Sequence, residues 1–251
     1  MILRFILLFC LVCPAYASYG LFSYAQERYE YSKNVEEQRS IASVTKLFTA
    51  YTIINSGVNL SEKVPVKGKS TGRFNRGFMI ERYELMRAML MSSDNLAAES
   101  LAHSYPNGYN SFINDVNNNI QSLGLRNTII VDSTGLLAGN KSTVNDLSQF
   151  LLKLSTIDVI KRLSTEKFYI YQYQKGKKTV KINMRNTNPQ MWVYDEIALT
   201  KTGFTSAAGR CIAMLVEKDG ALYSIVALGQ SNVKERSALV SDMMHELNIN
   251  K

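Results

Sequence analysis

Histidine is scarce: His103 and His245 are the only two in 251 residues, and neither lies in a His-Glu-x-x-His pattern. Zinc-dependent hydrolysis therefore has few ligands to draw on. A His-based serine triad is strained as well. His103 falls within an amphipathic helical segment and His245 within the closing one, where packing or surface roles are the ordinary expectation. A hydrolase built from this chain must find its base elsewhere.

Cysteine is nearly as rare. Cys10 and Cys13 lie in the first 17 residues, which leaves Cys211 alone and without a partner for an internal disulfide. No base or positive cluster beside Cys211 in sequence marks it as reactive, so it reads as a packed strand residue. Neither Cys10 nor Cys13 follows a small residue, which argues against lipid attachment. Four prolines, 46% apolar and 20% charged residues exclude the disordered class and suit one good-sized core or two small ones.

No early apolar run is long enough to be a retained anchor, because Phe5 to Cys13 is too short to span a bilayer. With Arg4 before it and the small-x-small end Ala15-Tyr16-Ala17 behind, residues 1–17 read as a secretory signal peptide and 18–251 as a single exported domain. There is no internal repeat, low-complexity tract or linker.

The 29 basic and 21 acidic residues give +8, and removal of residues 1–17 takes away only Arg4. The basic residues are spread along the chain without a nucleic-acid motif, so nucleic acid is not the expected partner. They are densest from Lys63 to Arg76, where Lys67, Lys69, Arg73 and Arg76 stand among Gly68, Gly72 and Gly77. That stretch reads as a solvated loop, with a binding lip as the alternative.

What is there begins with two β-rich segments, Tyr19 to Tyr24 and Tyr29 to Ser32, predicted to pair antiparallel around a short connection. A helix is predicted from Ser43, with Val44, Leu47, Phe48, Tyr51 and Ile54 at helical spacing and a stop at Asn55-Ser56-Gly57. Glu81 to Tyr105 is helical but interrupted at Ser92-Ser93-Asp94-Asn95, where short polar residues favour a turn or cap. Further helices are predicted over 108–124, and over 143–155 behind a Ser142-Thr143 cap. Strands follow over 168–174, 178–184, 197–202, 210–217 and 221–228, then a closing helix over 233–248. The expected whole is a sheet built from both chain ends, with helices from the middle.

Ser43-Val-Thr-Lys46 supplies a base without histidine. Residues three apart on a helix share a face, so the Lys46 amine can approach the Ser43 hydroxyl. A neutral lysine can take the serine proton if burial and a nearby cation, for which Lys201 is available, depress its pKa. Ser-x-x-Lys is a cheap pattern that recurs at Ser164 to Lys167 and Ser231 to Lys234. Ser-x-Asn occurs at Ser32 to Asn34 and at Ser93 to Asn95, and Lys-Thr-Gly once, at Lys201-Thr202-Gly203. Taken singly each has an ordinary use: a helix cap at Ser43, a surface lysine at Lys46, turn residues at Ser93 and Asn95, edge-strand residues at Lys201 and Gly203. Only Ser43 is followed by both other motifs in order, on a helix start, an inter-helix turn and a strand.

This ordered triplet resembles the signature of penicillin-binding proteins and serine β-lactamases. Ile41 to Ala50, Leu123 to Thr128, Ser133 to Leu136, Ser142 to Leu147 and Leu199 to Gly209 extend the likeness to the D-alanyl-D-alanine carboxypeptidase and endopeptidase family of low-molecular-mass penicillin-binding proteins. Arg185-Asn-Thr-Asn-Pro189 and Lys201 to Cys211 look most like its penicillin-binding protein 7 type of endopeptidase. The resemblance implies an α+β, three-layer α/β/α transpeptidase fold of the β-lactamase and DD-peptidase kind, with an antiparallel sheet flanked by helices. It also implies a periplasmic enzyme without a cofactor, acting on peptidoglycan peptides and acylated by β-lactam antibiotics as covalent inhibitors.

By position, Ser43 would be the nucleophile, Lys46 its base and Ser93 the proton relay. Asn95 would hold the substrate amide, Lys201 would set the local potential and Thr202 would bind a substrate carboxylate. Gly203, lacking a side chain, would leave room for an extended peptide, and the backbone amides of Ser43 and Phe204 would form the oxyanion hole. Larger relatives add a C-terminal β-domain and an amphipathic anchor; only 48 residues follow Gly203 here, so no stable membrane anchor is expected. A class A β-lactamase is the nearest rival, but its water-positioning Glu in a Glu-x-x-Leu-Asn stretch has no counterpart in Thr128 to Leu136, so slow deacylation is expected. A catalytically silent wall-binding module on the same fold is the third possibility.

Overall fold

Alternation is missing from Cys211-Ile-Ala-Met-Leu-Val216, which is apolar throughout, and the architecture explains why: this strand is covered on both faces. A computed structural model describes residues 17–249, so all but the last residue of the expected signal segment lies outside the described residues. The elements run β1 (Ser18–Ser23), β2 (Arg28–Lys33), β3 (Arg39–Ser40), α1 (Thr45–Asn55), β4 (Lys63–Pro65), β5 (Met79–Glu81), α2 (Arg82–Met91), α3 (Asn95–His103) and α4 (Gly108–Ser122). They continue with β6 (Lys141–Ser142), α5 (Val144–Leu154), α6 (Asp158–Thr165), β7 (Phe168–Lys175), β8 (Lys178–Arg185), β9 (Ile197–Thr205), β10 (Gly209–Lys218), β11 (Ala221–Gln230) and α7 (Val233–Glu246).

Five strands form the central sheet in the order β2-β1-β11-β10-β9, each pair antiparallel. Strand periodicity sends Ile212, Met214 and Val216 to one face and Ala213 and Leu215 to the other. The first set packs with Leu239, Val240, Met243 and Met244 of α7. The second joins the larger core with Leu47 and Phe48 of α1, Met86 and Met89 of α2, Leu101 of α3 and Phe150 of α5. Helix, sheet and helix thus make the three layers expected.

The predicted boundaries fall within a few residues of those observed; the strands β3, β4, β5 and β6, too short to show a period, were not expected, and two larger elements differ. The short helix α6 was not foreseen, because its eight residues bury only Ile160, Leu163 and Ser164 and its N-cap position, Ile157, makes no side-chain cap. The β7–β8 hairpin is a separate two-stranded sheet, not part of the central one. Its inner residues Tyr169, Tyr171, Tyr173, Val180, Ile182 and Met184 pack on the helical side of the core, which competes successfully with edge pairing. No helix among the described residues is long and apolar enough to cross a membrane.

Candidate active site

Ser43 sits in a one-turn 3-10 helix, Ala42–Val44, immediately before α1; the expectation that it begins the α-helix itself is out by one short turn. The turn is tight. Ala42 is held at φ +46°, and a Cβ on Gly135 would come within 1.9 Å of the Ala42 carbonyl oxygen. Strain of this kind persists only where surrounding structure enforces it. The next residues enter α1, which puts Lys46 in its first turn, fully buried.

The Lys46 Nζ lies 2.9 Å from Ser43 Oγ, 2.7 Å from Asn95 Oδ1 and 2.6 Å from the Thr134 carbonyl oxygen. Burial holds its pKa down to about 7, against the upward pull of Asp132, Asp94 and Glu99. A neutral amine has two N–H donors and one lone pair. The Thr134 carbonyl and Asn95 Oδ1 take the two donors, and the hydroxyl of Ser43 is the one partner able to donate to the lone pair. With the amine neutral, Ser43 can donate to that lone pair; with it charged, Lys46 donates all three contacts.

Lys201, in β9, is also buried, and donates to Ser93 Oγ at 3.0 Å and to the Thr202 carbonyl at 2.6 Å. Burial first, then the charges of Lys46 and Arg236, put its pKa well below the ordinary lysine value. Of the two causes expected for a depressed Lys46, burial and a nearby cation, burial leads, and the charge of Lys46 in turn lowers the pKa of Lys201. Ser93 closes the α2–α3 break at φ +58°, in the left-handed region, and Asp94 caps α3 by accepting from the Ala97 amide at 2.9 Å. That cap aims Ser93 and Asn95 at the space above Ser43.

Strand β9 has a sheet partner on one side only. The Thr200 amide points away from β10, donating to Ser164 Oγ at 3.4 Å, so by the two-residue period Thr202 and Phe204 also present their backbone groups to the free edge. Gly203 lines the cleft, and a Cβ there would lie 2.8 Å from the Ser43 nitrogen and 3.0 Å from Ala42 Cβ, so its missing side chain also admits the Ser43 turn against β9. Ser43, Ser93, Asn95, Thr202, Gly203 and Phe204 together line a cleft of about 360 Å³, with Lys46 and Lys201 beneath.

These three motifs on one cleft, in a three-layer sheet, agree with the family comparison: a profile described as D-alanyl-D-alanine carboxypeptidase matches residues 17–232. The chain belongs to the D-alanyl-D-alanine carboxypeptidase family. Among its relatives, the D-alanyl-D-alanine endopeptidase of Escherichia coli (strain K12) is 38% identical over 192 residues, covering 73% of this chain and 61% of that protein. The enzyme of that name from Pseudomonas aeruginosa is 35% identical over 209 residues, covering 79% and 66%. The chain thus spans less than two thirds of either relative's length. In fold it is similar to the Streptomyces K15 DD-transpeptidase, with a TM-score of 0.84 at 22% identity over 91% of this chain and 95% of that one. Penicillin-binding protein D2 of Listeria monocytogenes, solved in a cefotaxime-bound form, gives 0.77 at 23% identity over 91% and 95%.

In this D-alanyl-D-alanine carboxypeptidase family member the other sequence repeats serve the scaffold. Ser164 donates to the Lys161 carbonyl while Lys167 pairs with Asp195 at the surface, and Ser231 bonds Glu235. His103 rests against Tyr109 outside the cleft, and His245 is exposed on α7. Cys211 is buried, and desolvation pushes its thiol up to about 11. The Lys63 to Arg76 side chains are exposed, apart from Val64, Val66, Phe74 and the half-buried Ser70, on a loop closed by Arg76 donating to the Gly68, Lys69 and Ser70 carbonyls.

Three site residues were missed. Asp132 accepts from the Thr134, Gly135 and Leu137 amides, the Thr134 hydroxyl and the Asn140 carboxamide, and so shapes the loop whose Thr134 carbonyl meets Lys46. The Ser133 to Leu136 block was noticed without the acid beside it. Arg210 and Arg236 line the cleft facing no carboxylate among the described residues. Arg210 stacks 3.7 Å above Phe204 with its Nε unbonded, and buried Arg236 donates only to the Cys211 carbonyl at 3.4 Å. Arg236 gave no sequence signal, because a basic residue on a closing helix ordinarily faces water.

Proposed function

We propose that the chain is a serine-type D-Ala-D-Ala peptidase of the bacterial wall, exported to the periplasm, with Ser43 as nucleophile. The observation that carries this is the buried Lys46 amine, 2.9 Å from Ser43 Oγ, whose neutral form spends its two N–H groups on Asn95 and Thr134 and so has its lone pair for that hydroxyl's proton. Ser43 Oγ bonds to the D-Ala carbonyl carbon as its proton passes to Lys46. The Ser43 and Phe204 amides hold the oxyanion, a contribution of about 3 kcal/mol per donor. The C–N bond then breaks, and the proton travels through Ser93, whose oxygen accepts from Lys201 and whose hydrogen is free to be given, to the leaving amine. Water hydrolyses the resulting ester, again through Lys46.

Asn95 orients the substrate amide, and Thr202 with Arg210 and Arg236 offers an anion site for a carboxylate on the leaving side. The names of the first two relatives favour a cross-link as the bond cut. A β-lactamase needs a carboxylate free to position water; the acid in this region, Asp132, is consumed by five hydrogen bonds within its own loop. Benzylpenicillin is therefore expected to leave a long-lived adduct on Ser43, seen by intact mass, and none on Ser43→Ala. Rapid turnover without an adduct would make the protein a lactamase instead. Digestion of cross-linked muropeptides with product mass analysis reports which D-Ala bond is cut.

A further inference from the structure

The β7–β8 hairpin packs its inner tyrosines on the body and leaves Phe168, Ile170 and Lys181 of its outer face exposed. Tyr171 donates to Glu81 at 2.8 Å, Tyr173 accepts from Asn75 at 2.7 Å, and Arg87 lies 3.7 Å over the Tyr169 ring, which ties the inner side to the body. On the outer face Phe168 is 58% and Ile170 43% exposed. The segment 168–185 contains five basic residues, Lys175, Lys177, Lys178, Lys181 and Arg185, and no acid. None of the ion pairs among the described residues involves these five. Lys175 folds over the Phe78 ring, whereas Lys177, Lys178 and Lys181 extend into solvent. Five like charges on one hairpin repel each other, a cost that an anionic partner would relieve.

The face does not end at random. Phe168 is directly opposite Arg185, whose guanidinium stacks 4.7 Å from the half-exposed Trp192 ring. The Arg185 backbone exchanges two hydrogen bonds with Ser92, next to Ser93, and Thr187 and Pro189 line the cleft. Flat apolar surface therefore lies beside the cleft and positive charge farther out.

We propose that this face is a docking strip for polymeric peptidoglycan, carrying the acidic peptide stems and sugar rings that flank the bond held at Ser43. The strip would engage carboxylates through Lys181 on this face and through Lys177 and Lys178 at the hairpin tip, and lay chain and sugar against Phe168 and Trp192. An anionic bilayer is the other partner such charge could serve. A hairpin that enters lipid must carry its apolar residues at the point of entry; here the tip is Lys175-Gly176-Lys177-Lys178 and the apolar residues are at the base.

This inference rests on the peptidase reading, and its test separates the two. Ser43→Ala protein is mixed with purified sacculi at 50 and 300 mM NaCl, and the bound fraction is measured with and without Lys177→Gln, Lys178→Gln and Lys181→Gln. Binding is expected to weaken with salt, and the triple variant to bind roughly ten-fold less at low salt. In the Ser43 background the triple variant is expected to acylate with benzylpenicillin at the unaltered rate, which shows that it is folded. Equal binding of the triple variant and its parent overturns the strip, as does capture by phosphatidylglycerol–phosphatidylethanolamine vesicles in place of sacculi. Absence of any penicillin adduct on Ser43 overturns the peptidase reading instead.

Discussion

A lysine at the ordinary value of 10.5 would be neutral in roughly one molecule in 3,000 at pH 7, too few to serve as a base, whereas at about 7 the Lys46 amine is neutral about half the time. With Lys46 as the proposed base, acylation by benzylpenicillin is expected to rise with pH through a midpoint near 7 and then level off, as stopped-flow rates across pH 5.5 to 9 would reveal. A flat profile would remove Lys46 from the base role. The same depression acts on folding. Between about 7 and 10.5 the unfolded lysine binds a proton that the folded one lacks, so this group's contribution to stability rises with pH over that window. The unfolding free energy of the wild type minus that of Lys46→Met is expected to increase from pH 7 to pH 9 in urea titrations. The spacing of Ser43 and Lys46 was legible because it depends on one helical turn. The low pKa was not, since it comes from atoms that distant segments pack around the amine. Gly203 teaches the same lesson: its presence was noted, but the Ser43 nitrogen 2.8 Å from where its Cβ would be belongs to a residue 160 positions earlier.

Among the elements, the loop from Asp132 to Asn140 contributes most to the site while having no regular structure of its own. Its ionised carboxylate is buried yet its pKa is lowered, because the hydrogen bonds from Thr134, Leu137 and Asn140 outweigh desolvation. Asp132→Ala leaves the buried Thr134 and Gly135 amides without an acceptor and is expected to cost about 3 kcal/mol or more, measured by denaturant unfolding. Acylation should fall by about 10²-fold, since the Thr134 carbonyl that orients Lys46 is no longer fixed. Loss of stability with unchanged acylation would show that the loop does not position the base. Local rules found the helices and strands because periodicity, the Asp94 and Thr143 caps and the Lys218 to Gly220 reversal act over a few residues. They missed α6, whose short amphipathic face means little until β9 and α2 are beside it, and they could not tell that β7 and β8 leave the central sheet.

For the molecule as a whole, two cores on opposite faces of one sheet keep the three motifs in register. Phe150 of α5 stacks on Phe48 of α1 with centroids 4.0 Å apart and meets Tyr51 edge-on at 5.6 Å, beneath the helix that carries Lys46. Phe150→Ala is expected to lower stability by about 3–5 kcal/mol in a denaturant titration, while an exposed change such as Phe168→Ser stays within about 0.5 kcal/mol. Equal effects would mean that the α1–α5 contact does not anchor this layer. By itself the sequence determined the local pieces: helix starts and stops, strand alternation, the order of Ser43, Ser93 and Lys201, and with that order the family. Tertiary structure decided what each piece does. It lowered the pKa of Lys46, spent Asp132 on its own loop, packed Gly203 against Ser43, placed Arg210 and Arg236 at the cleft and stood one basic hairpin beside it. Burial, close approach and field are properties of neighbours in space, and the neighbours that set them lie tens to more than a hundred residues away along the chain.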